Sequence, residues 1–247
     1  MHQFYHLVLS GGGVRGLAHI GMYRALTEAG YRISRISGTS CGALIGLCIA
    51  AGKSPDEIEE LFTEHSLFNF LKPAFSSHGL FSMSIIEKVI TKYIPYRDLS
   101  ELPLPLRVCV CDIRTGEPLY YDTGDIRKLI TASCAVPGIF KPVLYDWRQL
   151  VDGGLCDNLP ISRESDSLPM IGCHVNPLPT KKLRTTKEIA TKALEILINR
   201  DVASQARQCA LFLEPPKLVT VSQSPFVDQA KIIKIGYDYA KEVLKGL

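Results

Sequence analysis

The sequence has no composition break that would mark a linker between domains. Its 15 prolines and 19 glycines are spread among apolar segments, and no run of Ser, Gly or Pro extends beyond a turn. No internal repeat interrupts this pattern. A chain of 247 residues is long enough to bury a sizeable core as one unit. We therefore expect a single domain over residues 1–247.

The sequence also lacks the dense stripes of Lys and Arg, interleaved with aromatic residues, that nucleic-acid-binding surfaces carry. The formal net charge is +3 and the isoelectric point is near 8.4, so nucleic acid is not an expected partner. One basic cluster comprises Lys181, Lys182, Arg184 and Lys187. A solvated loop is the favoured interpretation of this cluster, and contact with anionic lipid head groups is the alternative.

Cysteine and histidine do not occur together at the spacings of a zinc site. The eight cysteines fall within apolar stretches, which is typical of reduced core residues in a chain of this size. Their positions are Cys41, Cys48, Cys109, Cys111, Cys134, Cys156, Cys173 and Cys209. We expect no metal ion and no cofactor.

No apolar run approaches the ~20 residues that span a bilayer. The longest small and apolar stretch, from Cys41 to Gly52, is well short of that length. The N-terminus has no basic segment before its short apolar run, so a secretory signal peptide is not predicted. These features predict a cytoplasmic protein without a transmembrane segment, with at most a transient, peripheral contact with a membrane surface.

What the sequence does contain is an alternation of largely apolar strands with helices. The pattern predicts further helices starting near Ser54 and just after Ser40. The predicted strands cover residues 5–10, 32–37, 106–113, 118–121, 142–145, 149–151, 170–175 and 211–213. The other predicted helices cover residues 17–29, 84–93, 126–134, 186–209 and 227–244. This order favours a three-layer α/β sandwich with helices on both faces of a mostly parallel central sheet.

A serine lies between two glycines where a predicted strand meets a predicted helix. The segment Gly38-Thr39-Ser40-Cys41-Gly42 fits G-x-S-x-G in the context in which this pattern forms a nucleophile elbow. Such a turn exposes the serine at the sheet edge, requires small flanking residues, and aims the dipole of the following helix at developing negative charge. A plain turn that caps a helix is the alternative for the isolated pentapeptide.

A glycine loop precedes this turn, after the first predicted strand. Its residues are Gly11, Gly12, Gly13, Val14, Arg15 and Gly16, which fit G-x-G-x-x-G. A dinucleotide-binding fingerprint would need an acid at the end of the next strand to hold the ribose, but that strand ends in Ile36-Ser37-Gly38. Backbone N–H groups at a helix start suit any anion, including the oxyanion of a tetrahedral intermediate beside Ser40.

A nucleophilic serine needs a base, and the residues leave two candidates. His174 follows an acid in the order of an α/β-hydrolase triad, although no acid near it in sequence stands out as a partner for its ring. Asp152 is followed by Gly153 and Gly154, which free the backbone to bring a carboxylate close to another loop. An Asp-Gly-Gly segment by itself is usually only a turn.

Four segments, in order and spanning nearly the whole chain, resemble the patatin-like phospholipase family. They are the glycine loop ending in Arg15-Gly16, the elbow at residues 38–42, residues 132–140 (Ala-Ser-Cys-Ala-Val-Pro-Gly-Ile-Phe), and Asp152-Gly153-Gly154 followed by Asn158-Leu159-Pro160. Each segment alone is a weak signal. Their joint occurrence at family-like spacing makes the resemblance specific.

The resemblance implies a Ser/Asp dyad without histidine. Ser40 would be the nucleophile and Asp152 the general base, while the amides of Gly12 and Gly13, with Val14 as a third candidate, would form the oxyanion hole. Arg15 matches the basic residue of the family's loop and is expected to brace that loop or to lie near a phosphate. Gly11 and Gly16 complete the loop. The elbow and the aspartate loop would be supported by Gly38, Gly42, Gly153 and Gly154.

The resemblance further implies hydrolysis of acyl esters of phospholipids or related lipids through an acyl-enzyme, without metal or cofactor. No long insertion follows Pro160, so the acyl-chain length is left open. The aromatic-rich residues 67–81 fit an acyl groove or membrane interface and an ordinary core equally well. Two rival functions remain, a carboxylesterase with a Ser40/His174 triad and a non-catalytic nucleotide- or phosphate-binding regulator.

Overall fold

Eight strands form one sheet in the computed structural model, which describes residues 3–63, 84–161, 168–178, 180, 182–222 and 228–247. The aromatic-rich residues 67–81, Lys181 and the side chain of Lys187 lie outside the described part. The strands are β1 (Phe4–Leu9), β2 (Arg32–Thr39), β3 (Leu106–Asp112), β4 (Glu117–Tyr121), β5 (Val143–Tyr145), β6 (Arg148–Asp152), β7 (Met170–Cys173) and β8 (Leu211–Leu213).

The strand order is β5-β6-β3-β2-β1-β7-β8, and β4 pairs with β3 outside this path. Five neighbouring strands are parallel to one another, in the order β3, β2, β1, β7 and β8. Strands β4, β5 and β6 pair antiparallel with their neighbours. Helices flank this sheet, so the predicted α/β sandwich is confirmed. The two antiparallel hairpins form one end of an otherwise parallel sheet.

Strands β2 and β6 share one edge of β3. Strand β2 pairs with β3 up to the Thr39/Cys109 pair, and β6 takes over at the Val110/Asp152 pair. Strand β4 overlaps both stretches of β3 and therefore occupies its opposite edge. Because β6 is antiparallel to β3, the carboxyl ends of β2 and β6 meet head to head. This register brings the residue after Thr39 next to Asp152.

The helices follow the predicted order. They are α1 (Ala18–Glu28), α2 (Cys41–Ala50), α3 (Pro55–Thr63), α4 (Ser84–Tyr93), α5 (Ile126–Ser133), α6 (Thr186–Ile198), α7 (Val202–Ala206) and α8 (Gln229–Lys245). All ten residues of α2 are buried, as expected for a helix that is apolar on every side. Helices α1 and α8 approach each other so closely that a Cβ atom on Gly21 or Gly236 would collide with the backbone of the other helix.

Two element predictions need correction. The helix after the glycine loop begins at Ala18, because residues 13–17 form a 3-10 turn first. The single helix predicted for residues 186–209 is wrong, since α6 ends at Ile198 and α7 begins at Val202. The capping box of Thr185 and Glu188 starts α6 as predicted. At its end, the Asn199 side chain donates to the Glu195 carbonyl (2.7 Å), a local bond of the kind that competes with helix continuation.

The cysteines are free thiols, and six of the eight are buried. Cys109 and Cys111 lie on β3, a strand with every residue buried. The chain thus uses cysteine as a small apolar core residue, as the sequence predicted. None of the described helices combines the length and apolarity needed to cross a bilayer.

Candidate active site

Ser40 lies in the turn between β2 and α2 with an unusual backbone conformation. Its φ of 54° and ψ of −126° are strained for a residue with a side chain. The turn is so tight that only glycine fits on either side of Ser40. A Cβ atom on Gly38 would lie 2.6 Å from the N atom of Ala43, and one on Gly42 would lie 2.6 Å from the carbonyl oxygen of Ser10. The geometry is that of a nucleophile elbow, with Ser40 directly before the first turn of α2.

The Ser40 hydroxyl is in contact with the carboxylate of Asp152. Ser40 Oγ donates a 2.7 Å hydrogen bond to Asp152 Oδ2, and the N–H of Gly154 donates one of 2.8 Å to Oδ1. The Ser40 and Asp152 residues are only 8% and 7% exposed. Gly153 permits this turn, because a Cβ atom there would lie 2.5 Å from the carbonyl oxygen of Cys109. The structure thus brings together the two residues that the sequence proposed as a dyad.

The environment of Asp152 increases its basicity. Burial raises the pKa of Asp152 to about 6, against the opposing effect of the hydrogen bonds from Ser40 and Gly154. A carboxylate with an ordinary pKa would be a weak acceptor for a serine proton. The raised pKa leaves Asp152 ionised at neutral pH and makes it a stronger base than an exposed aspartate.

Ser133 fixes the position of the elbow. The Ser133 hydroxyl accepts a 2.8 Å hydrogen bond from the N–H of Ser40 and donates one of 2.7 Å to the carbonyl of Cys109. Two residues later, the carbonyl of Ala135 accepts a 3.0 Å bond from the N–H of Asp152. The end of α5 and the residues after it therefore contact both Ser40 and Asp152, and Ser133 also bonds to β3.

The glycine loop passes directly over Ser40. A Cβ atom on Gly11 would lie 3.2 Å from the Cβ atom of Ser40, and one on Gly12 would collide with Val175. Gly13 has a positive φ of 55°. The N–H of Gly11 is used in a 3.0 Å bond to the carbonyl of Asn158, so Gly11 does not offer its amide to a ligand. Gly11, Gly12 and Gly13 line the same pocket as Ser40.

The remaining loop residues have structural contacts. The Arg15 guanidinium donates bonds of 3.2 and 3.0 Å to the carbonyl of Val221, which ties the loop to the segment after β8. Val14 is buried and does not line the pocket. Gly16 packs against Cys41, since a Cβ atom at residue 16 would collide with Cys41 Sγ. Arg15 therefore makes the expected bracing contact, and it also lines the pocket that contains Ser40.

Cys41, next to Ser40, carries an unreactive thiol. Burial, together with the smaller effect of the nearby charge of Asp152, raises the pKa of the Cys41 thiol to about 12. The thiolate is the reactive form of cysteine. Cys41 therefore stays protonated near neutral pH, although it lines the pocket beside Ser40.

The expectation that no acid partners His174 is wrong. Its Nδ1 atom lies 2.6 Å from Glu214 Oε1, and its Nε2 atom lies 2.9 Å from Asn199 Oδ1. Glu214 comes from the segment after β8, 40 residues along the chain, where sequence proximity gave no signal. Both ring nitrogens are thus engaged away from Ser40, whose hydroxyl bonds to Asp152. The described contacts do not assemble a Ser40/His174 triad.

A pocket of about 360 Å³ opens above Ser40 and Asp152. Its polar wall includes the side chains of Asn158, Asn176 and Asn199, and Asn158 Nδ2 donates a 3.2 Å bond to Asn199 Oδ1. The apolar wall is formed by Val136, Pro137, Leu155, Leu178, Leu194 and Ile198. Such a pocket combines a largely apolar wall with a few convergent polar groups, as small-molecule sites do.

Sequence reasoning gave no individual role to four residues of this site. Ser133 and Asn158 lie within the segments that carried the family resemblance, so their position was signalled but their contacts were not. Asn176 and Asn199 had no signal, because Asn199 fell inside a predicted continuous helix. Among the described residues, no three His, Cys, Asp or Glu side chains converge as a metal site would require.

A family model described as patatin-like phospholipase matches residues 7–163, which is more than half of the chain. An uncharacterized NTE family protein of Mycobacterium bovis is 34% identical over 158 residues, covering 63% of this chain and 44% of that protein. Human patatin-like phospholipase domain-containing protein 6 is 26% identical over 278 residues, covering 97% of this chain and 20% of that protein. The chain thus spans less than half the length of both relatives.

Two solved structures share the fold. VipD from Legionella pneumophila superposes with a TM-score of 0.63 at 16% identity, covering 99% of this chain and 67% of VipD. ExoU, in the ExoU–SpcU complex from the type III secretion system of Pseudomonas aeruginosa, superposes with a TM-score of 0.52 at 14% identity, covering 98% and 51% of the two chains. At these identities the likeness extends to the fold alone.

Proposed function

Because the chain belongs to the patatin-like phospholipase family, we propose that it is a serine acyl hydrolase that cleaves acyl esters of phospholipids or related lipids. Ser40 is the nucleophile and Asp152 the general base. The proposed reaction needs no metal ion or cofactor, because the dyad and backbone amides supply the nucleophile, the base and the stabilisation of charge.

One observation carries this proposal. The hydroxyl of Ser40 donates to the buried carboxylate of Asp152 at 2.7 Å, on a strained elbow at the floor of an apolar-walled pocket. A turn that only capped a helix would need neither the strain nor a buried acid. Strain of this kind concentrates at functional sites, where surrounding contacts maintain it.

Acylation begins when Ser40 Oγ attacks the acyl carbonyl carbon and its proton moves to Asp152 Oδ2. The tetrahedral oxyanion is stabilised by backbone amides of the glycine loop, for which Gly12 and Gly13 are our candidates, and by the N-terminal dipole of α2. Collapse of this intermediate breaks the ester C–O bond. The departing alcohol takes the proton from Asp152, and the acyl group remains on Ser40.

Deacylation reverses these roles with water. Asp152 accepts a proton from a water molecule as the water attacks the acyl carbonyl, and the same carboxyl returns the proton to Ser40 Oγ as the fatty acid leaves. A raised pKa suits both steps, because an efficient acid–base group titrates near the working pH. Ser133 keeps the amide of Ser40 in place throughout.

The pocket supports an apolar acyl group as the substrate portion nearest Ser40. A volume of about 360 Å³ is at the lower end of the ~300 to 1,000 Å³ of small-molecule pockets. Pro137 and Leu155 form apolar wall beside the dyad, whereas Asn158 and Asn176 add polar side chains, whose amide nitrogens donate to Asn199 and to the carbonyl of Gly11. We infer that the acyl chain contacts the apolar wall.

The proposal is tested with a fluorophosphonate probe and a panel of phospholipids, lysophospholipids and short-chain esters. Wild-type protein is expected to react covalently at Ser40 and to release fatty acid from at least one lipid class. Ser40→Ala is expected to lose both properties while unfolding at the wild-type temperature. Ser204→Ala, at an exposed serine outside the pocket, serves as the matched control. Labelling and turnover that survive in Ser40→Ala would refute the proposal.

A further inference from the structure

Helix α6 turns its apolar side chains outward. Ile189, Leu194, Ile196 and Leu197 are 50 to 58% exposed, whereas the side chains of the polar pair Lys192 and Glu195 are 18% and 35% exposed. Ile189 and Leu197 are separated by two helical turns and lie on one stripe with Ala193. On α6 these large apolar side chains are thus more exposed than the charged pair, which is the reverse of the usual surface helix.

An exposed apolar stripe of this kind marks an interaction site. Single exposed leucines are ordinary on protein surfaces, but contiguous apolar patches point to a protein, ligand or membrane partner. Leu194 belongs both to this stripe and to the wall of the pocket above Ser40. Leu178 and Val136 are likewise exposed at the surface and part of the pocket wall. The apolar surface therefore continues into the pocket.

A second exposed apolar feature projects from the end of the sheet at which the pocket above Ser40 lies. Trp147, at the tip of the β5–β6 hairpin, is 97% exposed and adopts a positive φ of 60° that is unfavourable for a bulky residue. Strand β6 runs from this tip down to Asp152, which lies five residues later, or about 16 Å away in an extended strand. The hairpin tip thus extends beyond the edge of the sheet at which Ser40 lies.

We propose that the α6 stripe (Ile189, Ala193, Leu194, Ile196 and Leu197) and Trp147 form a docking surface for a phospholipid bilayer. This choice of occupant rests on the proposed function, because a lipid substrate leaves a bilayer most directly when the pocket mouth faces it. A bound protein would cover that mouth. Tryptophan favours the interfacial region of membranes, and the exposed Lys182 and Arg184 precede α6, where they complement anionic head groups.

The docking surface is tested by flotation with vesicles of phosphatidylcholine and phosphatidylglycerol, in the Ser40→Ala background so that no lipid is consumed. We expect the protein to float with the vesicles. Added Ile189→Glu or Leu197→Glu should weaken partitioning about ten- to a hundredfold, as expected for one apolar side chain kept out of the interface. Phe4→Glu is the matched control, because Phe4 is 48% exposed and begins β1 at the opposite edge of the sheet.

Trp147 provides a second readout because it is the one tryptophan in the sequence. On addition of vesicles, its emission is expected to shift to shorter wavelength and to become shielded from acrylamide. Flotation without this change would refute the role of the hairpin tip. Failure to float, or equal flotation of the α6 and Phe4 variants, would overturn the proposal for α6.

Two further measurements identify other occupants of the stripe. A dimer that forms without lipid and dissociates in Leu197→Glu would assign the stripe to a second copy of the chain. A large loss of thermal stability in Leu197→Glu would show that another part of the same chain covers it. A soluble short-chain ester tests the catalytic chemistry separately from vesicle binding, with Leu197→Glu made in the protein that retains Ser40. If the wild-type protein does not hydrolyse this ester, the proposed function is refuted, and vesicle binding is then judged by the flotation result alone.

Discussion

The hydroxyl of Ser133 accepts the backbone N–H of Ser40 at 2.8 Å. Ser133 is fully buried and its own proton goes to the carbonyl of Cys109 on β3. The backbone nitrogen of the strained residue Ser40 thus has a side-chain hydrogen-bond partner. The contact couples the position of Ser40 to the end of α5.

Ser133→Ala is expected to misplace Ser40 without removing it. The substitution leaves the N–H of Ser40 and the carbonyl of Cys109 without this partner, which costs about 1 to 3 kcal/mol of folding free energy. A small displacement of Ser40, the proposed nucleophile, should lower kcat about 10- to 100-fold. Steady-state kinetics with a soluble ester and urea unfolding measure the two effects, with Ser204→Ala as control. A Ser133→Ala enzyme with unchanged kcat would show that the contact does not position the nucleophile.

Asp152 is predicted to control the pH dependence of activity. Because the proposed dyad needs an ionised base and burial raises the pKa of Asp152 to about 6, kcat/KM should rise with pH through about 6 and level off above it. Asp152→Asn should be nearly inactive at every pH. A pH–rate profile of the wild type measures the midpoint. A wild-type midpoint near 4, or an active Asp152→Asn enzyme, would contradict this role.

The same pKa has an opposite consequence for stability. A carboxyl with a folded-state pKa above its unfolded value favours folding when protonated, so its contribution decreases as pH rises from about 4 to about 6. Relative to wild type, Asp152→Asn should therefore gain stability above pH 6, by roughly 3 kcal/mol for a pKa raised from 3.8 to about 6. Urea unfolding at pH 4 and pH 8 should show the difference at pH 8 alone. Equal differences at both pH values would argue against a desolvated carboxylate.

Substitution of Gly12 should disturb the proposed oxyanion hole. A Cβ atom there collides with Val175, so Gly12→Ala must shift the loop that passes over Ser40. Loss of one oxyanion donor typically lowers kcat about 10² to 10³-fold. Gly246→Ala is the control, because a Cβ atom at that position meets nothing closer than 3.5 Å. Normal turnover in a folded Gly12→Ala protein would remove Gly12 from the proposed hole.

His174 is expected to act on stability rather than on chemistry. His174→Ala removes the partner of Glu214 and one partner of Asn199, which should cost about 1 to 3 kcal/mol. Below its lower melting temperature, the variant should keep kcat within about tenfold of wild type. Kinetics and thermal unfolding of His174→Ala, compared with Glu214→Gln, test this. A folded but inactive His174→Ala protein beside an active Asp152→Asn protein would restore the Ser40/His174 triad.

Local sequence was sufficient where one segment contains its own determinants. Helix α4 begins and ends at the predicted residues, as does β8. The elbow was also predictable from the sequence, because the two glycines that its tight turn requires, Gly38 and Gly42, lie within four residues of each other. The break after α6 was not predictable, since it involves Asn199, whose side-chain oxygen is bonded by His174 and Asn158.

Local patterns predicted the alternation of strands and helices, and short motifs identified Ser40 and Asp152 as a candidate pair. Whether those two residues touch was decided by tertiary structure alone, because β2 and β6 end head to head along one edge of β3. The raised pKa of Asp152 likewise depends on burial supplied by distant segments. The outward face of α6 follows the same logic. Periodicity gives the apolar stripe, but only packing determines whether that stripe points to the core or to the surroundings.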